Sequence, residues 1–506
     1  MSSPAFRETR LPDRAWVILP VLVGAWLRLR GIGGPDAFVD EGANILTALD
    51  PRVRVAFEPL AQGRPWLIYL FQPAGWFPAD ILLSARLLAA GAGLATLAAL
   101  AWTLQLLAGR AAALSGLWLW AVLPLAVFHE RLALADPVIT ALLAWAVALM
   151  TAGSRAAGKK NGLWFVVAGG FIGVAFLLKI SAALALPWIG IVYIATQRHL
   201  HQPLIDRRLG FLALGALAPV LTLGSDLMHL GGGLARYGAL PPLAISGFVT
   251  AGIGRLQVWI GWYAGYGGWP LGLLLLSALG LAWSQRHRLA LTCAAGWVVS
   301  VLVTTLCYNN SYARYLLPDQ VPLMLFLGLG AGAGLTTVRL RRVTWALLIP
   351  ALAAWAYASW TISPKPEQAA LPQADIEQYY TGPWSGRGLR EVRQFLTEYA
   401  DRNKVSCLVL THRFLRPGCY GLLLAERGDP RIGVVPFTIY EPSELAATLP
   451  SLRQATTGRN VAFFLLYEGS LYPAPAWLNE LNSPVRRVRQ VTRGAGESFT
   501  LYQFSP

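Results

Sequence analysis

Stretches of about 20 largely apolar residues recur from Ala15 to Thr361, the length an α-helix needs to cross the roughly 30 Å hydrocarbon core of a bilayer. They predict helices over 15–32, 81–108, 112–128, 133–152, 162–178, 180–196, 209–225, 268–284, 289–307, 316–337 and 343–361. Only 13% of the 506 residues are charged and 55% are apolar, against roughly a quarter charged in soluble domains. The expected fold is therefore an all-α polytopic membrane bundle of about eleven transmembrane helices. Its first segment ends in Leu27-Arg28-Leu29-Arg30 with no small-residue cleavage site, which reads as an uncleaved anchor.

The net charge of +16 would fit a nucleic-acid binder, but its placement argues for membrane topology. One set of connections holds Arg7, Arg10, Arg14, Arg110, Arg155, Lys159, Lys160, Arg198, Arg207, Arg208, Arg286, Arg288, Arg339, Arg341 and Arg342. Those fifteen cations face only Glu8, Asp13 and Asp206. The opposite side carries eleven cations, from Arg28 to Arg314, against ten acids. Short basic loops stay in the cytoplasm, so the N-terminus is expected there. An odd number of crossings then puts loops 33–80 and 226–267 and the tail on the outer side.

After the proline-rich joint Ser363-Pro364-Lys365-Pro366 the composition turns soluble. Residues 405–410, 431–437, 461–467 and 499–504 read as strands, and 388–399 and 443–455 as amphipathic helices, a small α/β domain. The expected domains are thus 1–361, the bundle, and 362–506, extracytoplasmic. The four cysteines, Cys293, Cys307, Cys407 and Cys419, form neither a disulfide framework nor a zinc spacing, and a Cys407–Cys419 pair stays open.

The outer ends of the helices collect ionisable residues: Asp40, Glu41, Arg64, Arg86, His129-Glu130-Arg131, Asp136, Lys179 and Arg314. A charge in a bilayer helix costs several kcal/mol, about 2.5 to 3.5 at the centre, so such residues usually line a functional cavity. Each also has a plain structural reading. Asp40 suits the N-cap of a helix over 42–49, and Asp136 before Pro137 suits an N-cap and N1 pair. Arg28, Arg30, Arg131 and Lys179 suit snorkelling to headgroups, and Arg314 among tyrosines an interfacial belt. Taken together, carboxylates facing several cations suit transfer from a lipid phosphate. A carboxylate takes the proton of an attacking hydroxyl while Arg and Lys hold the phosphate as charge grows on it.

The order of these residues resembles the membrane-embedded glycosyltransferases of the GT-C fold, in the superfamily of dolichyl-phosphate-mannose protein mannosyltransferases and bacterial aminoarabinose transferases (glycosyltransferase family 39). The likeness runs over residues 15–340 and rests on seven short elements in order. They are Leu27-Arg28-Leu29, Val39-Asp40-Glu41, Gly63-Arg64-Pro65-Trp66-Leu67, Ser84-Ala85-Arg86-Leu87, His129-Glu130-Arg131 through Asp136, Phe176-Leu177-Leu178-Lys179, and Ala313-Arg314-Tyr315-Leu316-Leu317-Pro318. Arg64 and Trp66 stand where the family has Lys and Pro, and Gly42-Ala43-Asn44 where it has an aromatic residue.

The resemblance implies that Asp40 is the general base, Glu41 orients it and Asp136 shapes the site. It implies that Arg64, Arg86, Lys179 and Arg314, with Arg131 a weaker member, hold the phosphate of a polyprenyl-phosphate sugar donor. Inversion is expected from a single displacement. No metal is assigned, although Asp40 with Glu41 offers oxygen ligands that would suit a divalent cation. The acceptor, whether protein, lipid or glycan, is not legible, and the absence of a retention signal favours a bacterial inner membrane. A transporter or lipid flippase is the rival reading, and it predicts repeated halves and mid-membrane charges that the sequence does not display.

Overall fold

Prolines and glycines decide where the apolar stretches break. A computed structural model describes residues 15–77, 80–156, 160–224, 226, 245–307, 312–362, 369, 371–412, 416–436, 441–458, 460–469, 473–476, 478, 485–494 and 496–504. The N-terminal cations Arg7, Arg10 and Arg14, Lys159, most of the loop 226–244, the joint 363–366 and the end of the strand expected to reach Phe437 lie outside the described residues.

In chain order the membrane part gives α1 (Ala15–Leu29), α2 (Val39–Leu49), α3 (Pro51–Phe57), α4 (Ile81–Ala108), α5 (Arg110–Val122), α6 (Pro124–His129) and α7 (Ala135–Arg155). There follow α8 (Lys160–Leu178), α9 (Leu186–His199), α10 (Arg207–Leu221), α11 (Ile245–Ser284), α12 (Arg288–Cys307), α13 (Gln320–Thr336) and α14 (Val338–Ile362). The segment expected over 112–128 is two helices, because Pro124 at the start of α6 cannot continue the hydrogen-bond ladder of α5. The segment expected from 268 begins at Ile245 and bends at Gly268, whose φ of 55° lies in the left-handed region, two residues before Pro270. Among the described residues, seven helices are long and apolar enough to cross a membrane.

Chain contacts divide the protein into two compact units. One comprises 1–30, 90–131 and 136–363, and the other 31–89, 132–135 and 364–506. In the first unit α8 and α10 touch backbone to backbone. A Cβ at Gly169 or Gly173 would collide with the carbonyls of Leu212 and Ala216, and one at Gly215 with Val166 O. Gly169 and Gly173 are four apart, the small-residue spacing by which membrane helices approach closely.

The second unit holds a five-stranded sheet of β1 (Ser406–Thr411), β2 (Ile432–Pro436), β3 (Val461–Glu468), β4 (Val485–Gly494) and β5 (Glu497–Phe504). The spatial order is β2-β1-β3-β5-β4, parallel over the first three and antiparallel over the last two. Helices α15 (Leu389–Asn403), α16 (Pro417–Gly428) and α17 (Pro442–Ala455) accompany it. Alternation along β3 divides the core: Phe463, Leu465 and Tyr467 join Leu445 and Leu452 of α17, while Phe464 meets Phe395 and Tyr399 of α15. All four cysteines are free thiols, and burial pushes Cys407 up to about 11 and raises Cys419 as well.

The end of β3 sets a pH dependence. Glu468 is fully buried, and burial pushes its carboxyl from 4.5 up to about 7 against the opposing pull of Arg493 and Arg416. The folded state therefore binds more protons than the unfolded one between these values, and its stability falls as pH rises through them. Ionising Glu468 costs on the order of 3 kcal/mol at 1.36 kcal/mol per pKa unit. Limited proteolysis of the full-length protein is expected to cut the tail faster at pH 8 than at pH 5. Glu468→Gln should remove the difference; an equal difference in the variant would assign it elsewhere.

Candidate active site

Four of the expected site residues, Asp40, Glu41, Arg64 and Arg86, belong to the second unit. Helix α2 carries the acidic pair in its first turn, where the positive end of the helix dipole favours it. Phe38, not Asp40, is the N-cap, so the helix starts three residues earlier than the expected 42–49 and both carboxylates lie inside it. Glu41 points inward and is fully buried. Its Oε1 accepts from Arg86 Nε and Ala133 N, each at 2.8 Å, and its Oε2 from Arg86 Nη2 at 2.8 Å and Phe38 N at 3.0 Å. A carboxylate offers about four lone-pair sites, and all four are used.

Arg86 is equally committed. Beyond its two bonds to Glu41, Nη1 donates to Ile32 O at 2.9 Å and Pro35 O at 2.8 Å, and Nη2 to Asp36 O at 3.2 Å. A guanidinium has five N–H donors, and each has a protein acceptor. Arg86 therefore staples the loop before α2 to the base of α4, with all five donors engaged by protein. Asp36, in the same loop, accepts from Gly388 N at 3.0 Å, and burial raises its carboxyl despite Arg390 nearby.

Asp40 is half-buried. Asn44, one helical turn on and hence on the same face, accepts a bond from Arg64 Nη1 at 3.4 Å and donates to Ala133 O at 3.3 Å. Asn44 thus draws Arg64 toward the face that carries Asp40. Asn44 is not among the ionisable candidates, and its four-residue spacing from Asp40 is the sequence signal that points to it. A divalent cation at the acidic pair would have to draw on Asp40, since the oxygens of Glu41 are already engaged.

The first unit holds Arg131, Asp136, Lys179 and Arg314. Lys179, between α8 and a 3₁₀ turn over Ile180–Ala185, places Nζ 2.7 Å from Asp136 Oδ1 and 4.1 Å from the centre of the Tyr315 ring. Arg314 lies 5.4 Å from the same ring and 4.9 Å from that of Tyr312. Tyr315 is thus the hub that gathers Lys179 and Arg314, with Asp136 behind the lysine. Two cations gathered about one aromatic ring suit an anion of more than one oxygen. Asp136 sits in the first turn of α7 and accepts from Lys179 Nζ. Arg131 donates to Arg30 O at 2.8 Å and Ile362 O at 3.2 Å, which ties helix ends together.

Arg28 completes the picture of the motif residues. Its Nε donates to Glu130 at 2.5 Å, Nη1 to Gly24 O and Ala121 O, and Nη2 to Trp120 O, all fully buried. The Leu-Arg-Leu element is therefore a brace for α1.

Residues 65–222 match the family described as dolichyl-phosphate-mannose-protein mannosyltransferase. No curated protein matches the chain in sequence. Among solved structures, ArnT of Cupriavidus metallidurans bound to undecaprenyl phosphate is similar with a TM-score of 0.53 at 14% identity, covering 96% of this chain and 98% of that one. Its apo form gives 0.56 at 12% identity, covering 97% and 98%. The oligosaccharyltransferase of Archaeoglobus fulgidus is also matched, with a TM-score of 0.47, 14% identity and coverage of 89% and 67%.

Proposed function

The chain has the GT-C fold of membrane glycosyltransferases, and we propose that it moves a sugar from a polyprenyl-phosphate donor onto an acceptor hydroxyl on the extracytoplasmic side. The observation that carries this reading is the pair of cations, Lys179 and Arg314, gathered on Tyr315. The binding of undecaprenyl phosphate by ArnT, which shares the fold over nearly the whole chain, supports the donor class.

Asp40 takes the proton of the acceptor hydroxyl as its oxygen attacks the anomeric carbon. The bond from that carbon to the phosphate oxygen breaks in the same step, and the configuration inverts. The phosphate monoester leaves with the bonding pair, and Lys179, Arg314 and Arg64 stabilise the charge it gains. Glu41 and Arg86 act as positioning residues for Asp40, and Asp136 as the positioning residue for Lys179. The leaving group carries its charge on oxygens that cations serve directly, so no metal is assigned. In this reading the chain crosses about eleven times with its basic connections cytoplasmic and its tail outside, and the chemistry belongs to the outer boundary of a bacterial inner membrane.

The test is sugar release by the purified protein from a panel of radiolabelled polyprenyl-phosphate hexoses and pentoses. Turnover of at least one donor is expected. Arg314→Gln should raise the donor KM about 10- to 100-fold, the cost of one charge-assisted hydrogen bond or a little more. A normal KM in this variant would remove Arg314 from the phosphate site.

A further inference from the structure

Helix α16 of the tail touches α2 and its C-terminal end. Gly42 meets Tyr420 so closely that a Cβ at residue 42 would stand 2.6 Å from Tyr420 Cβ and 3.3 Å from Cγ. Only glycine leaves room there. At the end of α2, Arg52 Nη2 lies 2.7 Å from Asp50 and 2.7 Å from Glu426 of α16, and its Nη1 donates to Val434 O at 3.3 Å. Arg427 donates to Leu49 O, the last carbonyl of α2, and lies 3.8 Å from Asp50. Residues two apart on a helix point about 200° from each other, so Tyr420 grips the face of α2 opposite Asp40.

We propose that α16 is a splint that sets the rotation of α2, and that Tyr420 is a positioning residue for Asp40. The tail domain then belongs to the catalytic apparatus through the helix it holds. The catalytic part of this inference rests on Asp40 being the base; the mechanical part does not. Glu41 with Arg86 holds α2 at one point around its axis, and Gly42 against Tyr420 holds it at another about 100° away, so the two contacts together oppose rotation of the helix. Misplacement of a reacting group by about 1 Å costs on the order of 100-fold in rate.

The experiment compares wild type, Tyr420→Phe, Tyr420→Ala and Gly42→Ala, all full length, by donor kinetics and by hydrogen exchange of the α2 amides. Tyr420→Phe keeps the atoms that touch Gly42 and should behave as wild type. Tyr420→Ala should speed α2 exchange, leave the membrane helices unchanged, and lower kcat about 100-fold with donor KM within about twofold. Gly42→Ala should show the same kcat loss from the other side of the contact, which guards against a Tyr420→Ala protein that fails to fold. Unchanged α2 exchange in both variants would overturn the splint, and faster exchange with a raised donor KM and normal kcat would overturn Tyr420 as a positioning residue for Asp40. If wild type turns over no donor, the proposed reaction fails, and α2 exchange alone still decides whether α16 holds α2.

Discussion

Asp40→Asn is expected to lower kcat about a thousandfold, within the 10²–10⁴ that a positioned general base contributes, while donor binding persists. The variant keeps the shape of the side chain and its place on α2, so the loss would report the proton acceptor alone. Donor affinity should hold because the mechanism assigns the phosphate to Lys179, Arg314 and Arg64. Parallel measurements of donor binding by the catalytically silent variant and of turnover separate the two. Full activity in Asp40→Asn would leave Asp40 as a first-turn acid that serves the α2 dipole, and the base would have to be sought at Asp136.

The second large effect is expected at the Glu41–Arg86 pair. Both side chains are essentially excluded from solvent, and Arg86 spends all five donors on the protein. Breaking a buried pair from one side leaves an uncompensated charge and costs about 3–5 kcal/mol. Arg86→Ala should therefore lower the midpoint of thermal inactivation by on the order of 10 °C, taking a few degrees per kcal/mol for a protein of this size. Donor KM, measured at a temperature where the variant is folded, should stay near that of wild type. Replacing both partners, as in Glu41→Gln with Arg86→Met, should recover part of the stability, because the unpaired charge is gone. A raised KM with an unchanged midpoint would return Arg86 to the phosphate site.

The helical bundle was legible because apolar length is a one-dimensional signal: each of the eleven apolar stretches is helical over most of its described length, and the errors fall at prolines and glycines such as Pro124 and Gly268. In the tail, the strands with apolar runs were legible. Strand β4 was not, because its Arg486, Arg487 and Arg489 mark a charged edge that carries no hydrophobic alternation. Helix α16 was not legible because its apolar run from Tyr420 to Ala425 is too short for a periodicity.

Among the candidate site residues, the charge pattern points to residues but not to their partners. Which arginine faces phosphate and which is spent on protein depends on contacts across tens of residues, as with Arg86 and Glu41, or Arg28 and Glu130. Asn44 and Tyr420 are neutral, so a search for ionisable groups passes over them. Their importance lies in what they touch.

The most direct test of the account follows a polyprenyl-phosphate sugar labelled in both sugar and lipid, in proteoliposomes of known protein orientation. The account predicts that, on the face that carries the tail domain, the sugar is cleaved from its phosphate and delivered to an added acceptor with inverted configuration, leaving polyprenyl phosphate in the bilayer. Movement of the intact donor across the membrane without cleavage would contradict it and identify a transporter of the lipid-linked sugar instead.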